Sequence, residues 1–261
     1  GVDINVMTYD YHGAFDKISD NQSPMQSDPR DPNAQTQPGK DYAVMPTIKA
    51  YLALGVPSRQ LTVGIPLYGR AMLVDSTKEN YGLWRPITGS PPGQFNDKTG
   101  MYDYQCVRYN ICGNGTGFTD MQFLPAMTSP LTNVTQVPWG YSPSTNAVIS
   151  LDDIDSTTNK AKMVLKKELK GPFFWLASGD ANAADKSIIS AVQNFLTTQA
   201  EMAPQIALAA VAAHATRQVT AGVLALVKWA FSGNATSQHN NITDTAAHIQ
   251  HQLVERKKLL N

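Results

Sequence analysis

The sequence has few cysteines and no excess of charge of either sign. Its 261 residues include two cysteines, and its 21 lysines and arginines equal its 21 aspartates and glutamates. Two cysteines are too few for a scaffold built on disulfides. A neutral chain also lacks the basic surface that favours nucleic acid or an anionic membrane. Because 42% of the residues are apolar, we expect a folded core with neither of those partners.

The sequence also lacks an apolar run of membrane-spanning length. Residues 204–231 are rich in Ala and Val, but His214, Arg217 and Lys228 interrupt them. A spanning helix needs about 18 or more apolar residues in a row. We therefore predict a packed helix within 204–231 and a second at about 243–259, neither of them a membrane anchor.

The spacing of the cysteines and histidines argues against a zinc site but leaves a disulfide open. The five histidines show no ligand spacing near the cysteines, so we expect no zinc site. Cys106 and Cys112 lie close together in a loop-like stretch and could form a small disulfide. Spacing alone does not fix disulfide geometry, so the bridged and the reduced pair both stay open.

Three apolar segments, each followed by polar residues, predict an α/β fold. We predict strands at 2–8, 60–67 and 172–177, and helices from about Tyr42 to Gly55, at 157–169 and at 183–196. Strands separated by helices at this spacing form βαβ units with a parallel sheet. Residues 17–40 are rich in proline and polar residues and predict a long surface loop. Residues 71–147 lack a helical period and predict an inserted α+β subdomain.

Residues with useful chemistry follow each predicted strand. Tyr9 and Asp10 follow the first strand, Tyr68 and Arg70 the second, and Trp175 lies on the third. Barrel enzymes carry their reacting groups at the carboxyl ends of their strands. For each residue a structural role stays open: a strand cap for Tyr9 and Asp10, an ion pair for Arg70, and the core for Trp175.

These segments resemble the sixth, seventh and eighth strands of family 18 chitinases. The matching motifs are Asn5-Val-Met-Thr-Tyr-Asp-Tyr-His-Gly-Ala-Phe-Asp16, Thr62-Val-Gly-Ile-Pro-Leu-Tyr-Gly-Arg70 and Gly171-Pro-Phe-Phe-Trp-Leu-Ala-Ser-Gly-Asp180. The segments 100–105 and 148–153 resemble the edges of that family's α+β insertion. The resemblance implies the C-terminal part of a TIM (β/α)8 barrel. By this resemblance we predict barrel strands six and seven within residues 1–70, the insertion in 71–147, the last barrel helix-strand-helix in 148–197 and a helical tail in 198–261.

The resemblance implies hydrolysis of β-1,4-linked N-acetylglucosamine polymers with retention and without a cofactor. In this substrate-assisted scheme the acetamido oxygen of the sugar attacks the anomeric carbon to give an oxazolinium ion. At the positions that match the family's motif, the resemblance implies that Tyr9 donates a hydrogen bond to the acetamido oxygen and that Asp10 acts in the same catalytic centre. The implied sugar contacts are Met7, Tyr68, Arg70 and Trp175, with Trp175 as the floor of the cleft.

The sequence departs from the family at the catalytic acid. That acid ends an Asp-x-x-Asp-x-Asp-x-Glu run, and the nearest segment here, Asp152-Asp-Ile-Asp155, continues with Ser156 and Thr157 and has Asn159 in place of the glutamate. We therefore expect the acid, and strands one to five, in a missing N-terminal part. A strand at residue 2 with no signal peptide before it supports that expectation. Leu176 also stands where some relatives have glutamate after the tryptophan.

Three functions stay open at this point. The first is a secreted chitinase that acts on chitin or chito-oligosaccharides once the missing half of the barrel is present. The second is a non-hydrolysing, lectin-like chitin-binding relative. The third is a structural or chitinase-like subunit of a larger toxin assembly, which docks through residues 198–261.

Overall fold

The computed structural model describes residues 2–35, 41–94, 98–111, 118 and 120–202. The chain divides into two compact units, Gly1–Thr198 and Gln199–Asn261, and in the second unit residues 199–202 are described and are helical. The helices predicted within 204–231 and at 243–259 lie outside the described residues. Within the described ranges, no helix is long and apolar enough to cross a membrane.

Strands and helices mix along the first unit. The strands are β1 (Ile4–Val6), β2 (Leu61–Pro66), β3 (Tyr68–Val74), β4 (Ile87–Gly89), β5 (Met101–Asp103), β6 (Gln122–Leu124), β7 (Trp139–Ser142), β8 (Ala147–Ser150) and β9 (Gly171–Trp175). The α-helices are α1 (Val44–Ala53), α2 (Tyr104–Tyr109), α3 (Ile154–Lys166) and α4, which is helical from 188 to 202, the last described residue. Short 3-10 turns occupy Pro32–Gln35, Ser58–Gln60, Asn80–Gly82 and Ala177–Gly179.

The three predicted strands form one parallel sheet in the order β1-β2-β9. Each strand is shorter than predicted, and β1 differs most from the prediction of 2–8. It ends at Val6 because the amide of Thr8 donates to the carbonyl of Val6 at 2.9 Å, which turns the chain away from the ladder. The residues that follow β1 therefore belong to a loop.

The two faces of β2 have different partners. Leu61 and Val63 are fully buried in a core shared with Val44 and Ile48 of α1 and with residues of α3. Successive side chains of a strand point to opposite faces, so Thr62, Gly64 and Pro66 lie on the other face. This second face adjoins the strand ends that carry the predicted site.

Two of the predicted helices begin and end at other residues than expected. α3 was predicted at 157–169 but begins at Ile154, because Asp153 and Ser156 form a capping box around its first turn. It stops at Lys166, and Glu168 has a left-handed backbone with φ of 52°. α4 was predicted from 183 but begins at 188, where the carboxylate of Asp180 accepts the amides of Ile188 and Ile189.

The remaining strands form a six-stranded antiparallel sheet. Its order is β4-β3-β8-β7-β6, and β5 also pairs with β3. The sheet runs from Tyr68 to Ser150 and so extends slightly beyond the predicted insertion of 71–147. Met72, Trp139 and Val148 are fully buried on one of its faces, which gives this sheet a core of its own.

Candidate active site

The predicted site residues converge at the carboxyl ends of the parallel strands. β2 and β9 are in register, with Pro66 opposite Trp175. The amide of Leu67 donates to the carbonyl of Trp175 at 2.7 Å and ties the two strand ends together. The structure brings Tyr9, Asp10, Tyr68 and Arg70 into direct contact at this edge and places Met7 and Trp175 on its exposed rim.

Asp10 is the centre of the bonded group. The Tyr68 hydroxyl donates to Asp10 Oδ1 at 2.6 Å, and Arg70 Nε donates to the same oxygen at 2.9 Å. The sequence left open an ion pair for Arg70. The structure contains such an ion pair, and the partner of Arg70 in it is Asp10, another predicted site residue. Two charge-assisted bonds to one oxygen fix the orientation of the carboxylate.

Tyr9 packs between two other aromatic rings. Its ring centroid lies 6.2 Å from that of Tyr68 and 6.2 Å from that of Phe173, both in edge-to-face geometry. Gly64 makes room for the ring, because a Cβ at this position would lie 2.6 Å from Tyr9 Cε1. Sequence reasoning assigned no role to Gly64 or Phe173. A glycine inside an otherwise apolar strand is a signal of such close approach.

The charge states of this group suit hydrogen-bond donation. Burial, and then the charge of Asp10, raise the pKa of Tyr9 above its usual value. Burial and the bond to Asp10 raise the pKa of Tyr68 much further. Burial opposes the charge of Arg70, but the bond to Asp10 and its charge raise the pKa of the guanidinium overall. At neutral pH the two tyrosines are therefore protonated donors beside an arginine cation.

Met7 and Trp175 present apolar surface at the same edge. Met7 is 70% exposed and Trp175 is 55% exposed. Among the described residues, Trp175 therefore lies at the surface and outside the buried core. The peptide bond between Trp175 and Leu176 is cis, and Leu176 is also exposed. The open face of an indole ring suits contact with apolar ligand surface.

The predicted surface loop 17–40 is buried in part: residues 19–25 are buried, positions 17, 29, 30 and 32 are exposed, and 36–40 lie outside the described residues. Ser19, Asn21, Gln22 and Ser23 are buried. Ser19 Oγ donates to the carbonyl of Gly82, in the 3-10 turn Asn80–Gly82, at 2.6 Å, and Gln22 Nε2 donates to the carbonyl of Tyr68 on β3 at 2.7 Å. Buried polar side chains need such partners. Backbone acceptors supply them for the Ser19 hydroxyl and for Gln22 Nε2, whereas Asn21 Oδ1 and Gln22 Oε1 have no partner among the described residues. Proline and polar content could not reveal these contacts.

A second buried cluster lies beside this loop. His12 Nδ1 lies 3.1 Å from Asp16 Oδ2, and its Nε2 lies 3.7 Å from Asp20 Oδ2. Burial raises the pKa of Asp20 to about 7, although the charge of His12 opposes that shift. The cluster fixes the start of the loop and lies outside the bonded group around Asp10.

Only one of the two cysteines can be described. Cys106 is buried on α2 and is disulfide-bonded. Its predicted partner, Cys112, lies outside the described residues. The pairing of Cys106 with Cys112 therefore stays a prediction.

Comparison with known proteins identifies the family. The family profile described as Glycosyl hydrolases family 18 matches residues 3–180. The chain belongs to glycoside hydrolase family 18. The resemblance inferred from the three strand motifs is therefore confirmed, and it covers the parallel sheet, the antiparallel sheet and the group around Asp10.

Proteins similar to the chain include chitinases and a pseudo-chitinase. Chitinase A1 of Niallia circulans is 32% identical over 180 residues, which is 69% of this chain and 24% of the relative. The solved structure of chitinase ChiA74 from Bacillus thuringiensis matches at a TM-score of 0.61 and 28% identity, over 75% of this chain and 32% of that one. Human YKL-39, described as a pseudo-chitinase with retained chitooligosaccharide binding, matches at a TM-score of 0.60 and 21% identity, over 75% of this chain and 50% of that one. The chain thus spans between a quarter and a half of the length of these relatives.

Proposed function

We propose that this chain supplies one side of the active-site cleft of a secreted chitinase. The observation that carries the proposal is the group of Tyr9, Asp10, Tyr68 and Arg70 at the ends of adjacent parallel strands. Protonated tyrosine hydroxyls, a fixed carboxylate and an exposed tryptophan form a set suited to a hydroxyl-rich ligand with apolar ring faces. Membership in family 18 supports chitin or chito-oligosaccharides as that ligand.

The proposed reaction is retaining and substrate-assisted. The acetamido oxygen of the bound sugar attacks its own anomeric carbon, and the glycosidic bond breaks as its oxygen is protonated. Tyr9 donates a hydrogen bond to the acetamido oxygen, which its raised pKa permits because the hydroxyl keeps its proton. Asp10, held by Tyr68 and Arg70, stabilises the positive charge that develops on the acetamido group.

The proton donor is proposed to come from residues beyond this chain. The proposal is supported by the parallel sheet, in which β1 and β9 each have one paired edge among the described residues. Unpaired strand edges need a covering element. We propose that the remaining strands of a (β/α)8 barrel cover them and carry the glutamic acid. In that barrel, residues 1–70 and 148–197 are barrel segments, 71–147 is the insertion and 198–261 is a tail.

Secretion is proposed from the chemistry of Cys106. Cys106 is disulfide-bonded. Because disulfides persist in oxidising compartments such as the extracellular space, this supports secretion. For the alternative of a larger toxin assembly, we propose that residues 198–261 contact the other subunits. The proposed enzyme needs no cofactor for the reaction described.

A lectin-like function is the second candidate. YKL-39 shares the fold and is described as keeping chitooligosaccharide binding as a pseudo-chitinase. The exposed faces of Met7 and Trp175 would serve a binder as well as an enzyme. The group around Tyr9 and Asp10 favours the enzyme, since a binder gains less from a fixed carboxylate and a protonated hydroxyl at the reacting centre.

A substitution at Tyr9 separates the two candidates. In the complete protein, Tyr9→Phe should lower kcat by about 100-fold or more and change KM little, because the lost bond is strongest in the transition state. Tyr11→Phe is the matched control, since the Tyr11 hydroxyl bonds instead to Thr47 Oγ1 at 2.6 Å. The kcat and KM of both variants are measured from the hydrolysis of a chromogenic chito-oligosaccharide. Wild-type turnover by Tyr9→Phe would remove Tyr9 from the mechanism. Binding without hydrolysis by the wild type would favour the lectin.

A further inference from the structure

Lys160 is a buried charge that the proposed chemistry does not use. It lies on α3 with its side chain fully enclosed. Its ammonium nitrogen donates to Asp152 Oδ2 at 2.6 Å, to the Ser23 carbonyl at 2.8 Å and to Ser23 Oγ at 2.6 Å. An ammonium has three donors, so every one has an acceptor. A buried ion pair of this kind is weak evidence for a stabilising role, because desolvation offsets the attraction.

Ser23 connects this ion pair to the site. Its hydroxyl accepts from Lys160 and donates to the Thr8 carbonyl at 2.6 Å. Thr8 is held from a second side, since its Oγ1 donates to the Gly64 carbonyl of β2 at 2.7 Å. The peptide that leads into Tyr9 is therefore tied both to α3 and to the neighbouring strand.

Asp10 shows why such an anchor matters. Its backbone is left-handed, with φ of 59°. A non-glycine residue in that region costs on the order of 1–3 kcal/mol and persists where its surroundings fix it. Tyr68 and Arg70 hold the Asp10 side chain. The backbone is held on both sides of Asp10: Ser23 fixes the Thr8 carbonyl before it, and the Tyr11 amide after it donates to the Gln22 carbonyl at 3.0 Å.

We propose that Lys160 is a positioning residue that acts through Ser23 and Thr8 to orient Tyr9 and Asp10. Asp152 and Ser23 bind the ammonium group of Lys160. The Ser23 hydroxyl in turn fixes the orientation of the Thr8 carbonyl, shortly after the end of β1. The proposal deepens the proposed function and rests on it. A misplacement of about 1 Å can cost about 100-fold in rate, so the anchor should affect kcat more than KM.

Two serines of the same loop provide the test. Ser23→Ala removes the link between Lys160 and Thr8. Ser19→Ala is the matched control, because Ser19 is equally buried and its hydroxyl bonds to the Gly82 carbonyl and the Arg85 amide instead. In the complete protein, both should lower the melting temperature because each loses buried hydrogen bonds, and Ser23→Ala should lower it more because it leaves one donor of the buried Lys160 ammonium unpaired. Ser23→Ala alone should lower kcat about tenfold, a barrier change of about 1.4 kcal/mol, with KM within about twofold of the wild type.

A second readout does not depend on activity. Amide hydrogen exchange at residues 9 and 10 should be faster in Ser23→Ala than in Ser19→Ala. If the wild type binds chito-oligosaccharides but does not hydrolyse them, the enzyme proposal fails and exchange alone decides the positioning proposal. Equal kcat and equal exchange in the two serine variants would overturn it.

A double variant tests Lys160 itself. Lys160→Met with Asp152→Leu removes both charges, and such replacements often leave stability unchanged. We expect it to fold, with faster exchange at residues 9 and 10 and a lower kcat. Wild-type kcat and exchange in this variant would restrict the anchor to Ser23 and overturn the assignment of Lys160.

Discussion

The centre of the antiparallel sheet and the edge of the parallel sheet differ in how fully the described residues enclose them. Every position of β8 is buried, and Trp139 on β7 is fully enclosed. Every position of β9, by contrast, is at least partly exposed, and the strand ends at the exposed Trp175. Both sheets are buried at their centres, because every position of β2 is buried as well. The outer strands β1 and β9 of the parallel sheet are partly exposed along their length. We interpret these outer strands as the sides that the further strands of the proposed barrel would cover, and the exposed end of β9 as part of the cleft.

Two tryptophans provide the strongest test of this difference. Trp139→Ala should reduce the free energy of unfolding of the complete protein by about 3–5 kcal/mol, because it empties a packed core. Trp175→Ala should change it by less than about 1 kcal/mol, as expected for an exposed side chain. It should nevertheless weaken chito-oligosaccharide binding about tenfold or more, a loss of about 1.4 kcal/mol. Denaturant unfolding and titration calorimetry measure the two quantities. If Trp175→Ala destabilises the protein as much as Trp139→Ala does and leaves chito-oligosaccharide binding unchanged, Trp175 acts as a core residue.

Two glycines test the contrast between central and outer strands in the reverse order, with the buried glycine in the parallel sheet and the open one in the antiparallel sheet. Gly64→Ala should cost about 1–3 kcal/mol, because its Cβ would overlap the Tyr9 ring and the Val6 carbonyl. It should also lower kcat, since the ring must move. Gly89→Ala, on β4, is the control: its Cβ would meet only Leu73 Cδ1, at the ordinary distance of 3.7 Å. If both variants keep wild-type kcat, the close packing at Gly64 does not position Tyr9.

Much of the parallel sheet was predictable because its signals are local. The continuous apolar run of β2 and the helical spacing of Val44 and Ile48 both predict the observed elements. The resemblance to family 18 then indicated that three separated strand ends belong to one site. Strand and helix ends were less predictable: the turn at Thr8 and the capping box of Asp153 with Ser156 depend on hydrogen bonds that composition does not reveal.

The connections within the site were not predictable, because they join residues far apart in sequence. Asp10 bonds to Tyr68 and Arg70 across two strands, and Ser23 meets Lys160 from another element. One signal was available: Lys160 falls beside Ala161 and Val164 on the buried stripe of α3. A lysine among apolar positions at helical spacing calls for a buried partner.

The central claim is that this chain holds one half of a catalytic centre whose proton donor lies elsewhere. It is tested most directly by measuring chito-oligosaccharide hydrolysis with residues 1–261 alone and with the complete barrel. We expect hydrolysis by the complete barrel and none above background by residues 1–261, since general acid catalysis alone contributes about 10²–10⁴-fold. Supplying the remaining barrel strands as a separate chain should restore the activity. Hydrolysis by residues 1–261 alone at a rate comparable to that of the complete barrel would contradict the account.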